Sequence, residues 1–292
     1  MVVPHGKLVK VKGKNMHVRQ MGSGANTIVL LPGLGTPLPS VEFAPLMREL
    51  SKKYTVCVIE YFGYGHSDST DTPRTNENYV EEIREALTLT GLSPPYVLMP
   101  YSISGVYVEY YAAKYPNEID KLILLDSTTT VKEFAKIWAY AEEDIEKAKA
   151  VIESGKLPEE DTLDENSIKE IYAEMIGHGY TMEELEELDE IPNHLETLIA
   201  QEMAFSSNVV EVSDMPFPKD IPVLAFTGGW VELDDDERVK FEKFRRDHMD
   251  RLGEDAKLVL IEGSTHTDIY YHSNFRKVIC EEVDVFIKHL NP

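Results

Sequence analysis

Short continuous apolar runs recur along this chain, each followed by a glycine- or proline-bearing loop and then by a stretch with apolar positions at helical spacing. Thr27 to Leu31, Tyr54 to Ile59, Tyr96 to Met99, Lys121 to Leu125, Pro222 to Phe226 and Lys257 to Ile261 are such runs. They do not alternate with polar residues, which predicts strands buried on both faces. Helices are predicted between them at about Ser40–Ser51, Asn76–Gly91, Ile103–Tyr115, Asp235–Leu252 and Asn274–Leu290. Ahead of these, Lys7 to Val11 and Met16 to Met21 do alternate, and Lys12-Gly13-Lys14-Asn15 separates them as the turn of an opening hairpin. Strand and helix taking turns in this way predict an α/β protein, with a mostly parallel central sheet covered by helices on both faces.

Between Val131 and about Met215 the alternation stops. The stretch reads as charged helices broken by Gly155, Pro158, Gly177, Gly179 and Pro192, and the sheet pattern resumes at Ile221. The expected organisation is one core, residues 1–130 and 216–292, with a helical insertion at 131–215. Charge marks the same segment. The chain carries a net charge of -23, and from Ala141 to Glu190 there are 18 Asp and Glu against 4 Lys, so the insertion holds over half of the excess. Such a surface repels nucleic acid and anionic membrane, so neither is an expected partner. The run Glu183-Glu184-Leu185-Glu186-Glu187-Leu188 reads as a solvated helix face.

No apolar run approaches the roughly 20 residues that a membrane helix needs, and Met1 to Lys14 is polar and basic without the apolar segment of a secretion signal. A cytoplasmic location is expected. Cys57 and Cys280 each lie in apolar surroundings with no metal-ligand spacing, so neither a disulfide nor a metal or other cofactor is called for.

Chemistry concentrates at predicted strand ends. Tyr96 to Met99 runs through Pro100 and Tyr101 into Ser102, then Ile103-Ser104-Gly105 and a helix. A strand-to-helix turn of this kind presents a serine hydroxyl at a strained backbone position. The usual pattern has glycine two residues before and two after the serine, where this chain has Pro100 and Ser104. Taken alone, Ser102 is also readable as an N-cap for the following helix. Two more loops at strand ends, Pro32-Gly33-Leu34-Gly35 and Glu262-Gly263-Ser264-Thr265-His266, bring this elbow to the edge of an open sheet where ligands collect. A serine needs a base to accept its proton, and His266 is the histidine on such a loop.

These loops together resemble the α/β-hydrolase superfamily from about Lys7 to Leu290, with the insertion in the place of that fold's helical cap. Five landmarks carry the resemblance: the glycine loop after the third strand, Gly63-Tyr64-Gly65-His66-Ser67-Asp68 after the fourth, the elbow at Ser102, Leu124-Leu125-Asp126 at the sixth, and Gly263-Ser264-Thr265-His266 after the eighth. The resemblance implies a serine hydrolase with a Ser-His-acid triad, and an oxyanion hole made by the backbone N–H groups of Leu34 and Ile103. The family commonly has its acid three residues past a glycine at the end of the seventh strand. Counting from Gly228 reaches Val231, and counting from Gly229 reaches Glu232. Asp126, after the sixth strand, is the alternative that some members use. Asp126 is preferred here, with Glu232 kept open; Asp234, Asp235 and Asp236 read as a helix N-terminus. Glu60 and Pro100 depart from the family's usual aspartate and glycine.

A cap of this family roofs a pocket for a small-molecule substrate. Its candidate lining is Phe134, Ile137, Trp138, Tyr140, Tyr172, Met175, Met203 and Phe205, apolar enough to favour carboxylic esters of small to medium size. Two alternatives stand beside that reading: an aminopeptidase of proline-iminopeptidase type, if cap acids hold a free amine, and a non-catalytic binder on the same scaffold. Serine at the elbow argues against dehalogenases and epoxide hydrolases, which need aspartate there.

Overall fold

A computed structural model describes residues 5–138, 142–154, 165–189, 194–229 and 234–289. Eight strands form one sheet in the order β1-β2-β4-β3-β5-β6-β7-β8. These are β1 (Lys7–Val11), β2 (Lys14–Met21), β3 (Thr27–Leu31), β4 (Thr55–Ile59), β5 (Tyr96–Pro100), β6 (Ile119–Leu125), β7 (Val223–Gly228) and β8 (Lys257–Ile261). Antiparallel pairing is confined to β1–β2 and β2–β4, and every other neighbour is parallel. The carboxyl ends of β3 to β8 therefore share one edge of the sheet.

Consecutive strand residues point to opposite faces, and both faces are filled from β3 to β7, whereas the edge strand β8, expected to be buried on both faces, exposes Leu258 and Leu260. Tyr96 and Leu98 of β5 join one core with Leu122 and Leu124 of β6. Over that face lie α3 (Asn76–Leu89), α4 (Ser104–Lys114) and α10 (Asp235–Leu252). Val97 and Met99 join the other core, with Ile123 and Leu125, beneath α2 (Ala44–Leu50) and α11 (Ser273–His289). This two-sided burial is the physical source of the non-alternating apolar runs.

The helix expected at Ser40–Ser51 is instead two, α1 (Pro39–Glu42) and α2, with Phe43 between them. Pro45 has no N–H to give to the carbonyl four residues earlier, so one continuous helix would lose a bond there. The hairpin turn is shorter than expected, because β2 already begins at Lys14. Between β6 and β7 the described elements are helices: α5 (Lys132–Ala135), α6 (Glu142–Ser154), α7 (Glu165–Gly177), α8 (Met182–Asp189) and α9 (Leu195–Ser213), with a 3-10 turn at Lys136–Trp138. Within α8, Leu185 is buried while Glu183, Glu184 and Glu186 are not. Among the described residues no helix is long and apolar enough to cross a membrane.

One glycine controls how closely α4 meets the loop after β6. A Cβ at Gly105 would lie 2.6 Å from Ser127 Cβ, well inside van der Waals contact, and Ser127 directly follows Asp126. Gly105→Ala must push that loop outward, and overpacking of this kind costs about 1–3 kcal/mol. We expect a lower urea midpoint at unchanged slope; an unaltered midpoint would contradict the contact.

Candidate active site

The elbow forms where β5 ends and the chain turns sharply into α4. Ser102 sits in the left-handed region at φ 53°, which a non-glycine residue occupies only when its surroundings hold it there. Here they do so through the backbone. Tyr101 N–H donates to Leu31 O at 2.9 Å, Ser102 N–H to Leu125 O at 3.2 Å, and Ser102 O accepts from Thr128 N–H at 3.0 Å. The elbow is thus tied to both neighbouring strand ends. Gly33 lets the glycine loop close over it, since a Cβ there would come within 2.7 Å of the Tyr101 ring and 3.1 Å of Ser102 Cβ. Ser104, where the family's pattern has glycine, donates its hydroxyl to Pro32 O and accepts from Tyr61 Oη at 2.8 Å.

Three groups distant in sequence converge at this edge. His266, on the loop after β8, has Nε2 3.1 Å from Ser102 Oγ and Nδ1 2.6 Å from Asp126 Oδ2. Asp126 caps β6, also at a positive φ of 39°, and its side chain is 2% exposed. Its other oxygen, Oδ1, accepts from Gly228 N–H at 3.0 Å and Thr227 Oγ1 at 3.1 Å. The end of β7 therefore supplies donors to the carboxylate. With Oδ2 accepting from Nδ1–H, the imidazole presents the lone pair of Nε2 to the serine hydroxyl. The ring is held from one side by Tyr101, stacked at 5.0 Å between centroids, and Tyr101 Oη donates to His266 O at 2.9 Å. Burial pushes the Tyr101 phenol well above its usual pKa, so it stays a neutral donor.

Ser102, His266 and Asp126 are thus brought together, while Glu232 lies outside the described residues. Asp234 is the N-cap of α10, in a reciprocal capping box with Glu237, as the helix-start reading of that acidic run expects. Ile103 directly follows Ser102, Leu34 follows Gly33 in the glycine loop, and among the described residues neither amide donates to an acceptor. The expected apolar lining fares differently. Phe134 and Phe205 pack edge to face within the core at 6.4 Å, and Met175 is buried with Val41, Ala44, Tyr180 and Leu185. Tyr172 lies half-buried against that same cluster, and Ile137 and Met203 face outward. Helix packing and solvent, rather than a common pocket, account for these six. The Trp138 side chain and Tyr140 lie outside the described residues.

The family model described as "alpha/beta hydrolase fold" matches residues 26–147. "Uncharacterized protein YbdG" of Bacillus subtilis (strain 168) is 41% identical over 121 residues, 41% of this chain and 37% of that protein. "Serine hydrolase BPHL" of Homo sapiens is 33% identical over 120 residues, 40% of each. The chain thus spans about two fifths of the length of these curated relatives. Among solved structures, wild-type Cfl2 from Burkholderia cenocepacia superposes with a TM-score of 0.68 at 15% identity, covering 97% of this chain and 95% of the other.

Sequence reasoning missed a buried cluster beside the site. Glu60, at the end of β4, accepts the His66 backbone N–H at 2.7 Å, His66 Nδ1 at 3.2 Å and Ser40 N–H at 3.2 Å. His17 Nδ1, from β2, lies 3.2 Å from the same Oε2 that His66 engages. The signal available in the sequence was an acid at a strand end just before Gly63 and Gly65; a Cβ at Gly65 would lie 2.3 Å from Glu60 Oε2. His17, Glu60 and His66 are residue types that bind metals, with ligand atoms within 4.8 Å of one another. The oxygen facing both imidazoles, however, already takes two N–H bonds from His66, so the trio reads as a tether for the loop after β4.

Burial alone would raise the Glu60 carboxyl, but His17 and His66 outweigh it and hold the group below its ordinary value of 4.5. A carboxyl lowered on folding contributes stability that is full above the unfolded value and lost as pH falls below it. Glu60→Gln is therefore expected to cost about 2 kcal/mol at pH 7, with the gap to the native protein narrowing as pH drops below 4.5. Urea midpoints of both proteins across that range check it, and a gap independent of pH would exclude it.

Proposed function

We propose that this chain, which has an α/β-hydrolase fold and matches that family's model over residues 26–147, is a serine hydrolase acting on carboxylic esters of small to medium size through an acyl-enzyme. The observation that carries this reading is the unbroken line from Asp126 through His266 to Ser102, at 2.6 and 3.1 Å. In the proposed cycle Ser102 Oγ attacks the ester carbonyl carbon while its proton passes to His266 Nε2. Asp126 stabilises the imidazolium through Nδ1–H. The tetrahedral intermediate collapses, the C–O bond to the alcohol breaks, and the alcohol leaves with the proton from Nε2. Water then repeats the sequence on the acyl-enzyme, freeing the acid and restoring the serine.

The negative oxygen of both intermediates is assigned to the amides of Leu34 and Ile103. Donors fixed before the reaction need no reorganisation when charge develops, and one such bond is worth about 10²–10³ in turnover. That neither amide has another acceptor among the described residues supports the assignment. The His266 side chain is 42% exposed, so the deacylating water has access to Nε2. We assign the inserted helices the part of a cap, and similarity to a relative named a serine hydrolase adds to the reading.

A fluorophosphonate probe should label the protein stoichiometrically, and Ser102→Ala should abolish the labelling. The absence of labelling in the native protein would favour a non-catalytic binder. Asp126→Asn should lower turnover of p-nitrophenyl esters by about 10⁴-fold, and Glu232→Gln should leave it within a few-fold. The reverse ranking would move the acid to Glu232. Faster turnover of prolyl or other aminoacyl arylamides than of p-nitrophenyl esters would replace the esterase by a peptidase.

A further inference from the structure

The peptide carrying the Leu34 N–H is held in place from outside the glycine loop. On its amino side, the carbonyl of Pro32 accepts the hydroxyl of Ser104, which Tyr61 Oη holds at 2.8 Å. On its carboxyl side, Gly35 N–H donates to Tyr64 Oη at 3.4 Å. Between these two pins the turn closes on itself through Thr36 N–H to Gly33 O at 3.5 Å. Gly35 has φ 71° and open space where a Cβ would be. No neighbour crowds this glycine, so the turn's hydrogen bonds, the one to Tyr64 among them, are what hold its conformation.

Tyr64 does not stand alone. Its hydroxyl donates to Gln201 Oε1, and Gln201 Nε2 donates to Tyr107 Oη at 3.0 Å. Gln201 lies on α9, in the inserted segment, and is fully buried; Tyr64 is 1% exposed. Tyr107 belongs to α4, the helix that Ser102 leads into, and stacks on Tyr79 at 3.9 Å. A neutral amide buried between two phenols is costly unless its polar atoms are bonded. Here both ends of the amide are used, one toward the glycine loop and one toward the elbow helix.

We propose that Gln201 and Tyr64 are positioning residues of the oxyanion site: the chain Tyr107–Gln201–Tyr64–Gly35 orients the Leu34 N–H, so that seating of α9 on the core and assembly of the oxyanion hole are one event. The inference rests on the serine-hydrolase reading and adds to it a route by which the inserted helices act on the reacting centre without touching substrate. The group positioned acts on developing charge, so its loss falls on turnover rather than on substrate binding.

Tyr64→Phe, Gln201→Met and the double variant test this with p-nitrophenyl butyrate as substrate and a trifluoromethyl ketone as mimic of the tetrahedral intermediate. Tyr64→Phe keeps the ring that meets Tyr61 edge to face at 5.7 Å and removes only the hydroxyl. We expect each single variant to lower kcat by about 10- to 100-fold, with KM within about threefold and ketone affinity falling in step with kcat/KM. The double variant should be no slower than Tyr64→Phe, because residues acting as one unit are not additive. A Tyr64→Phe enzyme with native kcat, losses confined to KM, or additive losses in the double variant would each overturn the proposal. Tyr64→Phe decides the matter even where Gln201→Met does not fold. Native protein that neither turns over the ester nor reacts with the fluorophosphonate would bring down the hydrolase reading and this inference together. Active native protein indifferent to Tyr64→Phe would bring down this inference alone.

Discussion

Two adjacent strands of a parallel sheet each end on a non-glycine residue held at positive φ, Ser102 after β5 and Asp126 after β6, and the candidate site hangs on that pair of strained turns. Each such residue costs on the order of 1–3 kcal/mol and persists only when its neighbours over-determine it. The neighbours are the strand ends themselves. Ser102 N–H bonds Leu125 O, the residue before Asp126, and Asp126 N–H bonds Phe226 O at 2.8 Å. One ladder of backbone bonds thus carries the constraint from β5 through β6 to β7, and it points both side chains at the imidazole arriving from the loop after β8.

The choice of Asp126 as partner of His266 has a consequence for β7. A carboxylate this buried requires donors on both oxygens. One oxygen is taken by the imidazole, and the other by Thr227 and Gly228. In the more common arrangement the end of the seventh strand contributes the acid. Here it contributes an amide and a hydroxyl to an acid from the sixth, so the two strand ends have exchanged the roles of charge and of support.

This exchange explains what was and was not legible in the chain. The buried strands read directly from their runs, because burial on both faces keeps most positions of β3 to β7 apolar, Lys121 and Thr227 being buried polar exceptions. Ser102 and His266 read from their loops. The acid did not, since Asp126 and Glu232 both keep the order serine, acid, histidine, and only the register of Leu125 against Phe226 in β6 and β7 brings Asp126 under Nδ1. The Ser40–Ser51 helix was misjudged because hydrophobic spacing continues through Pro45 while hydrogen bonding does not. The candidate lining residues were expected to be mostly helix-to-core packing, and packing is what Phe134, Phe205 and Met175 show. Aromatic and methionine positions at helical spacing mark a face that packs, and spacing cannot say whether a helix, the core or a ligand meets it. The His17–Glu60–His66 contacts join β2 to the loop after β4, and no local pattern announces pairs so far apart.

The roots of the inserted segment follow the same logic of shared support. Glu109, near the middle of α4, is 1% exposed and accepts from Thr130 Oγ1 at 2.7 Å, His248 Nε2 at 2.6 Å and Arg251 Nη1. Arg251 in turn donates to Val212 O at 2.7 Å and Met215 O at 3.0 Å, where α9 returns to the sheet. Burial would raise this carboxyl, but His248 and Arg251 beside it hold it below its ordinary value. Thr130 begins the excursion and Met215 ends it, so both roots of the insertion meet on one buried charge of the helix whose first turn follows Ser102. Displacing the first root would take the Thr130 hydroxyl from this buried carboxylate, and displacing the second would leave Arg251 without its two backbone acceptors, each a cost in a buried polar network. The helices between β6 and β7 are for that reason anchored to the same rigid element that carries the elbow.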